Sequence, residues 1–158
     1  MNDIAIRQAG PADRDAIVAA NVALALESEQ KVLNRETVRA GVAVQLADPA
    51  HGLYFLAEQG GDIIGQLALT WEWSDWRNGT FWWIQSVYVA AAHRGSGVFR
   101  KLYEYVAAEA RRRDDVAGLR LYVDKDNRNA MAVYRRMGMS VAHYDMLEVD
   151  FTAEKPSV

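Results

Sequence analysis

The stretch HRGSGVF, residues 93–99, stands between a strongly apolar run and a segment with helical periodicity. Its two glycines, Gly95 and Gly97, allow positive φ and a close approach of the backbone to another group. The first amides of a helix have no partner within the helix, and the helix dipole adds partial positive charge there. A glycine-rich turn from a strand into a helix therefore predicts a phosphate or pyrophosphate site, to which Arg94 would add a full charge.

This turn does not match either of two common nucleotide-binding motifs. A P-loop needs a wider spacing of its glycines and a Gly-Lys-Ser/Thr ending, and the stretch has neither. The dinucleotide fingerprint needs a third glycine where this chain has Arg100, and Asp124 comes too late to be its acidic residue. Taken alone, the turn is compatible with an anion site or with a purely structural role.

Composition and charge set broad limits on the protein. A chain of 158 residues is predicted to form a single domain, 1–158, with a real core. The net charge of −3 favours neither nucleic acid nor an anionic membrane as a partner. Cysteine is absent, which excludes disulfides and a thiol nucleophile, and the three histidines are too scattered to predict a metal site. The N-terminal MNDIAIRQAG lacks the pattern of a signal peptide, so we expect a cytoplasmic location.

Strand-like and helix-like segments alternate along the chain. Apolar periodicity and turn residues divide them in the order β-α-α-β-β-β-α-β-α-β, a mixed α/β layout. The predicted strands are 4–8, 52–58, 63–73, 80–89, 118–124 and 140–151, and the predicted helices are about 12–26, 36–47, 97–113 and 129–137.

Two motifs in this order point to a known family. The first is RGSGVF at 94–99, and the second is NRNAMAVYRRMGM at 127–139. Together they resemble the Arg/Gln-x-x-Gly-x-Gly/Ala loop and the Asn-x-x-Ala-x-x-x-Tyr-x-x-x-Gly-Phe element of the GNAT superfamily of acetyltransferases. The resemblance is close over 81–149, and the element order extends it over nearly the whole chain. The chain departs from the family at Phe99, where Gly or Ala is usual, and at Met139, which replaces Phe.

The resemblance implies a fold and a cofactor. The fold is a mixed, mostly antiparallel central sheet flanked by helices and split by a V-shaped cofactor cleft, and the cofactor is acetyl-CoA. In that cleft the backbone of 87–89 would pair with the pantetheine arm, and an amide near Val89 would polarise the thioester carbonyl. The cofactor-binding residues that it implies are Val87, Tyr88, Val89, Arg94, Gly95, Ser96, Gly97, Val98, Phe99, Asn127 and Tyr134.

Tyr134 is the candidate catalytic residue. It follows Asn127 by two helical turns, so the two side chains share a face of the predicted helix. With a pKa of about 10, its hydroxyl stays protonated at neutral pH and could donate a proton to the departing thiolate, whose pKa is about 8.5. A tyrosine ring packed on the sheet is the structural alternative, and the surrounding motif favours the general acid.

The general base is not evident from the sequence. An alkylamine with a pKa of about 10.4 is neutral in only about one molecule in a few thousand at pH 7, so a base or a water chain leading to one would help. Relatives often carry a carboxylate on the strand before the loop, where this chain has Gln85 and Ser86. Acids and tryptophans elsewhere suggest a site for a cationic, partly apolar amine, and the hairpin weakly resembles that of diamine acetyltransferases. The candidate acceptor-binding residues are Glu27, Glu29, Glu72 and Trp71.

These observations favour an acetyl-CoA-dependent N-acetyltransferase that acts on a primary amine of a small molecule by direct attack. Two alternatives stay open: a non-catalytic module that binds acyl-CoA, and a protein or peptide N-acetyltransferase. The long last strand could pair with its copy in a second molecule, which leaves a homodimer open.

Overall fold

The structure, a computed structural model, describes residues 3–154. The strands are β1 (Ala5–Gln8), β2 (Leu53–Gln59), β3 (Asp62–Ser74), β4 (Gly79–Val89) and β5 (Val116–Leu121). The α-helices are α1 (Arg14–Glu29), α2 (Arg35–Ala47), α3 (Val98–Arg111) and α4 (Arg128–Arg136). Among the helices of this part of the chain, none is both long enough and apolar enough to cross a membrane.

The five strands form one sheet in the order β1-β2-β3-β4-β5. The first four are joined antiparallel to their neighbours, and β5 runs parallel to β4. The turn between β2 and β3 is made by Gly60 and Gly61, both with positive φ, as the Gly-Gly-Asp sequence indicates. The prediction of a mixed, mostly antiparallel sheet flanked by helices is therefore confirmed.

A helical layer covers each face of this sheet. On one face, residues of α1 and α2 pack against β2 and β3, and this cluster consists of Ile17, Val18, Val42, Tyr54, Leu56 and Ala68. On the other face lies α3, and its predicted apolar stripe is confirmed because Val98, Leu102 and Val106 are almost fully buried. The predicted stripe of α1 is wrong at its end: Leu26 is exposed, since it lies in the last turn of the helix.

Contacts group the chain into two compact units, one that runs to Tyr122 and one that begins at Val123. The first contains the whole sheet and α1 to α3, and the second contains α4. That the chain forms a single domain stays a prediction.

The predicted last strand, 140–151, is wrong. Within residues 3–154 this segment forms no strand, and β5 also ends at Leu121, before the predicted position 124. The large apolar side chains of the segment are exposed, namely Val141, Tyr144, Met146, Leu147, Val149 and Phe151. Residues of high strand propensity indicate only a preference for extended backbone. A strand also needs a neighbouring strand with which to share hydrogen bonds.

Candidate active site

The sheet opens between β4 and β5. Their parallel pairing runs from Thr80 opposite Val116 to Ile84 opposite Leu121. There β5 ends, while β4 continues to Val89 and stays paired with β3. Within the described part of the chain, residues 85–89 therefore have a strand on one side and none on the other. This is the opening that the resemblance implies for a cofactor cleft.

A β-bulge interrupts β4 inside this open half. Gln66 of β3 lies opposite Tyr88 and Ala68 lies opposite Gln85, so Ser86 and Val87 together face a single residue of β3. Ser86 has a φ of 48°, in the left-handed region. For a residue other than glycine this conformation costs on the order of 1–3 kcal/mol and persists only where the surroundings hold it. The bulge re-aims the backbone that follows it.

Buried hydrogen bonds hold the bulge from the α1 side of the sheet. Gln66 Nε2 donates to the Ser86 carbonyl oxygen at 3.1 Å and to Asn21 Oδ1 at 2.7 Å. Asn21 Nδ2 in turn donates to Tyr54 Oη at 3.2 Å. Burial raises the pKa of Tyr54, while hydrogen bonds with Asn21 and Ser86 act in the opposite direction. We call Asn21, Tyr54, Gln66 and Ser86 the bulge network.

The direction of the Val89 amide follows from its neighbour. The Ala90 N–H donates to the Ile64 carbonyl of β3 at 2.9 Å. In an antiparallel pair, hydrogen-bonded and non-hydrogen-bonded positions alternate, so Val89 opposite Gly65 is a non-hydrogen-bonded position. The N–H of Val89 therefore points away from β3, toward the open side of β4.

The glycine turn has the geometry that an anion needs. Gly95 and Gly97 have φ of 78° and 85°, and Gly97 is the N-cap of α3. A Cβ added at either glycine would have no described atom within 4 Å, so the space beside the turn is open. Ser96 Oγ donates to the His93 carbonyl at 2.6 Å and closes the turn. These features fit the pyrophosphate of coenzyme A at the amides of the turn and of the first turn of α3.

Two side chains at the start of α3 face the protein. Val98 is 1% exposed, so its backbone amide is the group that remains for a ligand. The ring of Phe99 is half-buried and lies 6.2 Å from the ring of Tyr103, one turn further along α3. The departure from the family at Phe99 thus places no bulk in the open space beside Gly97.

Arg94 connects the turn to the end of α1. Its Nε donates to the Val89 carbonyl at 2.9 Å, and its guanidinium forms an ion pair with Glu27 and lies 5.6 Å from the centre of the Tyr88 ring. Tyr88 Oη also donates to Glu27 Oε1 at 3.4 Å. The Glu27 carboxylate raises the pKa of Arg94. The structure thus brings together two predicted cofactor residues and one predicted acceptor residue.

The other candidate acceptor residues lie elsewhere. Glu29 is exposed at the end of α1. Glu72 lies opposite Phe81, at the far end of β4 from Tyr88 and Glu27. Trp71 projects from the opposite face of the sheet to Glu72, because neighbouring residues of a strand alternate, and its Nε1 donates to the Pro49 carbonyl at 2.8 Å. The predicted acids and Trp71 therefore do not form one cluster.

Glu72 belongs to a group of residues that sequence analysis did not identify. It accepts a hydrogen bond from Trp83 Nε1 at 2.8 Å and forms an ion pair with Arg120. Trp83 also lies 4.4 Å, ring centre to ring centre, from Tyr122. The register of β4 with β5 pairs Trp83 with Arg120. A correct prediction of this register would have identified the group. No three His, Asp or Glu side chains among residues 3–154 are placed to hold a metal ion.

Asn127 and Tyr134 lie in the second unit, at the two ends of α4. Asn127 is the N-cap of the helix, where its Oδ1 accepts a hydrogen bond from the Ala130 N–H at 3.0 Å. Its Nδ2 is not used in that bond. Tyr134 is half-buried, and burial raises the pKa of its hydroxyl.

Comparison with known proteins identifies the family of this chain. The acetyltransferase (GNAT) family matches residues 20–139. A possible acetyltransferase from Clostridium difficile 630 is 39% identical, with a TM-score of 0.88 over 93% of this chain and 97% of that chain. No curated protein matches the chain.

Two more distant structures share the fold. A predicted acetyltransferase with acetyl-CoA from Clostridium acetobutylicum has 20% identity and a TM-score of 0.75, over 96% and 98% of the two chains. Ribosomal-protein-alanine N-acetyltransferase from Brucella melitensis biovar Abortus 2308 has 16% identity and a TM-score of 0.76, over 94% and 99%. Since the family match extends over most of its length, this chain belongs to the GNAT family of acetyltransferases and is an N-acetyltransferase.

Proposed function

We propose that the protein transfers the acetyl group of acetyl-CoA to a primary amine of a small molecule, by direct attack of the neutral amine. The observation that carries this proposal is the open half of β4, where a bulge and an outward-pointing amide lead directly into an anion-binding turn. The similar protein from Clostridium acetobutylicum, which was solved with acetyl-CoA, supports the choice of cofactor.

The backbone of the first unit would hold the cofactor. Acetyl-CoA supplies the activated thioester, and the chain supplies the contacts that orient it. Residues 87–89 offer backbone groups to the pantetheine amides in place of a neighbouring strand, and the Val89 N–H would stabilise negative charge on the thioester oxygen. The pyrophosphate would be bound by Arg94 and by the amides of the turn, which are those of Gly95, Ser96, Gly97, Val98 and Phe99.

Two residues of the second unit complete the proposal, as the resemblance implies. Asn127 would use its Nδ2 to bind the coenzyme arm. Tyr134 would protonate the departing sulfur, and its raised pKa keeps its hydroxyl protonated at neutral pH.

For the acceptor we propose contacts from Glu27 and Glu29, which lie at the end of α1 nearest the glycine turn. The other two candidates, Glu72 and Trp71, lie at the far end of β4 and on opposite faces of the sheet, so we do not propose that they bind the same small molecule. Glu27 is already paired with Arg94, so an incoming amine would have to share that carboxylate or displace the arginine. We also propose a cytoplasmic location and a homodimer.

An acceptor screen tests the proposed function. Release of free thiol from acetyl-CoA is measured with polyamines, amino acids, aminoglycosides and short peptides as acceptors. We expect turnover with at least one class of small amine. Turnover with peptides alone would instead identify a protein or peptide N-acetyltransferase. Tight binding of coenzyme A with no thiol release for any acceptor would identify a non-catalytic binding module.

A further inference from the structure

The bulge of β4 depends on one buried side chain. We propose that Gln66 is a positioning residue, which fixes the Ser86 carbonyl and thereby aims the backbone of 87–89 at the thioester. This inference rests on the proposed function, because it assigns to Gln66 the task of orienting the amides that the cofactor would use. Gln66 itself touches neither cofactor nor acceptor in this proposal.

The burial of Gln66 is not explained by packing. Gln66 is 1% exposed, and it is the only buried polar residue in the part of the chain that the structure describes. Its Oε1 is buried without a hydrogen-bond partner among those residues. Leucine or methionine could fill the same space without bringing in Oε1, whose burial without a partner is costly. The position therefore has a requirement that only a polar side chain meets.

That requirement is a hydrogen-bond donor for two acceptors. Gln66 Nε2 lies between the Ser86 carbonyl and Asn21 Oδ1, at 3.1 Å and 2.7 Å. If the amide were turned over, Oε1 would face the Ser86 oxygen, and two acceptors would meet. The two acceptors thus determine the orientation of the Gln66 amide, and as a consequence its Oε1 is left without a hydrogen bond.

The bulge network also keeps Gln66 itself in place. Asn21 comes from α1 and Tyr54 from β2, so the donor to Ser86 is braced by two further elements. Gln66 lies opposite Tyr88, the second residue after Ser86. A change at Gln66 therefore acts on the backbone that follows the bulge, which is where the sheet opens.

A role in positioning and a role in stability alone make different predictions for turnover. The test variant is Gln66→Met, which keeps the length and the apolar contacts but has no donor. The matched control is Gln45→Met, which makes the same change outside the bulge network, at a side chain whose Nε2 lies 3.5 Å from the Leu69 carbonyl oxygen. Both variants are compared with the wild-type chain for kcat, for KM of acetyl-CoA and for thermal stability, with the acceptor found in the screen.

We expect Gln66→Met to lower kcat by roughly tenfold or more, because a small displacement of reacting groups is enough for such a loss. Its KM for acetyl-CoA should stay within about threefold of wild type, because the turn and α3 provide the pyrophosphate contacts. Gln45→Met should keep a kcat near that of wild type even where it lowers Tm. An unchanged kcat in Gln66→Met overturns the inference, as does an equal loss of kcat in the two variants.

A second readout needs no activity. In amide NMR spectra of the coenzyme-free protein, Gln66→Met should shift or broaden the resonances of residues 86–89, and Gln45→Met should leave them close to wild type. Unchanged resonances in Gln66→Met overturn the inference. If Gln66→Met does not fold, Asn21→Ala replaces it, with the same readouts. We expect a smaller loss of kcat in Asn21→Ala, because Gln66 loses its partner Asn21 but keeps its bond to Ser86. An unchanged kcat in Asn21→Ala overturns the inference.

The two proposals fail separately in this design. A wild-type chain that neither binds coenzyme A nor releases thiol contradicts the proposed function, whatever the NMR spectra show. A wild-type chain that is active, with Gln66→Met equally active, contradicts only the positioning role of Gln66.

Discussion

At the scale of single residues, Tyr134 is the clearest case in which a local environment supports a chemical role. A general acid must hold its proton until the leaving group needs it, and burial raises the pKa of this hydroxyl above its ordinary value of 10.0. The neutral form is therefore favoured in the folded protein throughout the physiological range. The same burial disfavours the tyrosinate as an alternative state.

We predict that Tyr134→Phe lowers kcat by at least about tenfold, since general acids contribute on the order of 10²–10⁴. Affinity for coenzyme A, measured by calorimetry, should change by less than about twofold, because the ring remains. Because the folded-state pKa is raised, the wild-type rate should not lose the acid form until the pH exceeds about 10. An unchanged kcat in the variant would remove Tyr134 from the mechanism.

A second residue-scale feature concerns stability rather than catalysis. Asp13 accepts two hydrogen bonds from Arg7, each of 2.8 Å, and its Oδ2 also accepts from the Gly10 N–H at 2.8 Å. The hydrogen bonds from Arg7 lower the pKa of Asp13 below its ordinary value of 3.8. A depressed folded-state pKa means that the ionised form stabilises the fold above pH 3.8, and that this contribution is lost as the pH falls through the folded-state value.

We predict that Asp13→Asn lowers the free energy of unfolding by about 1 kcal/mol at pH 7, a modest value because Arg7 is partly exposed and solvent screens the pair. The difference from wild type should shrink below about pH 4. Urea unfolding at pH 7 and below pH 4 measures this difference in the free energy of unfolding. Asp15→Asn is the control, because the pair of Asp15 with Arg39 is exposed; an equal loss in both variants would contradict the special role of Asp13.

At the scale of elements, the packing of α3 on β3 depends on Gly65. A Cβ added there would lie 2.8 Å from Val98 Cγ1 and 3.2 Å from the Tyr88 carbonyl oxygen. The first turn of α3, which follows the glycine turn, would have to move. Sheet packing would therefore be coupled at this glycine to the proposed cofactor site.

We predict that Gly65→Ala destabilises the fold by about 1–3 kcal/mol, the usual cost of overpacking, and weakens binding of coenzyme A. Gly41→Ala is the matched control. It lies within α2, no described atom lies within 4 Å of its added Cβ, and alanine favours helix by about 0.5–1 kcal/mol. Thermal unfolding and calorimetry measure both effects. A Gly65→Ala protein with wild-type stability and affinity would contradict the coupling.

A second coupling joins the end of α1 to the turn, through Glu27 and Arg94. In the proposed complex, the carboxylate of Glu27 and the pyrophosphate of the cofactor would be two anions that compete for the guanidinium of Arg94. The ion pair is largely exposed, so a multiply charged ligand can compete with it. The sequence predicts different ligands for the two residues, whereas in the structure they are neighbours.

We predict that Glu27→Gln increases the affinity for coenzyme A severalfold at low salt, because Arg94 loses its competing anion. The increase should shrink at high salt, where exposed charges are screened. Glu29→Gln at the same helix end is the control and should leave the affinity unchanged. Titration calorimetry at two salt concentrations measures the affinity for coenzyme A. Weaker binding by Glu27→Gln would show that Glu27 supports Arg94 rather than competing with the cofactor.

At the scale of the whole molecule, residues 141–151 are the least explained segment. Leu147 is 94% exposed and Tyr144 79%, and they lie in a stretch whose other large apolar side chains are also exposed. Apolar patches on a protein surface often mark an interface, and this segment concentrates exposed apolar side chains in eleven consecutive residues. This supports the proposed homodimer.

We predict that the protein sediments as a dimer at micromolar concentration. The double variant Leu147→Ser with Val149→Ser should sediment as a monomer, because it removes apolar area from the contact. The control is Val32→Ser, a change at an exposed valine outside this segment, and this variant should stay dimeric. A wild-type chain that is monomeric at all accessible concentrations would contradict the dimer.

Local features were predictable because neighbouring residues determine them. The positive φ of Gly95 and Gly97, the start of α3 at Val98 and the buried stripe of that helix all follow from residues close in sequence. The cap formed by Asn127 is local in the same way. The predicted last strand failed because a strand requires a partner, and no local pattern supplies one.

The sequence by itself thus determined the family, the mixed sheet with its helices, and the turn that would hold the pyrophosphate. Only the tertiary structure decided the bulge at Ser86, its support by Gln66, and the pairs of Glu27 with Arg94 and of Glu72 with Arg120. The residues in these two ion pairs lie 67 and 48 positions apart. Contacts over such separations depend on strand register and on which face of the sheet a side chain occupies, and both are set by the packing of the whole first unit rather than by the neighbours of any one residue.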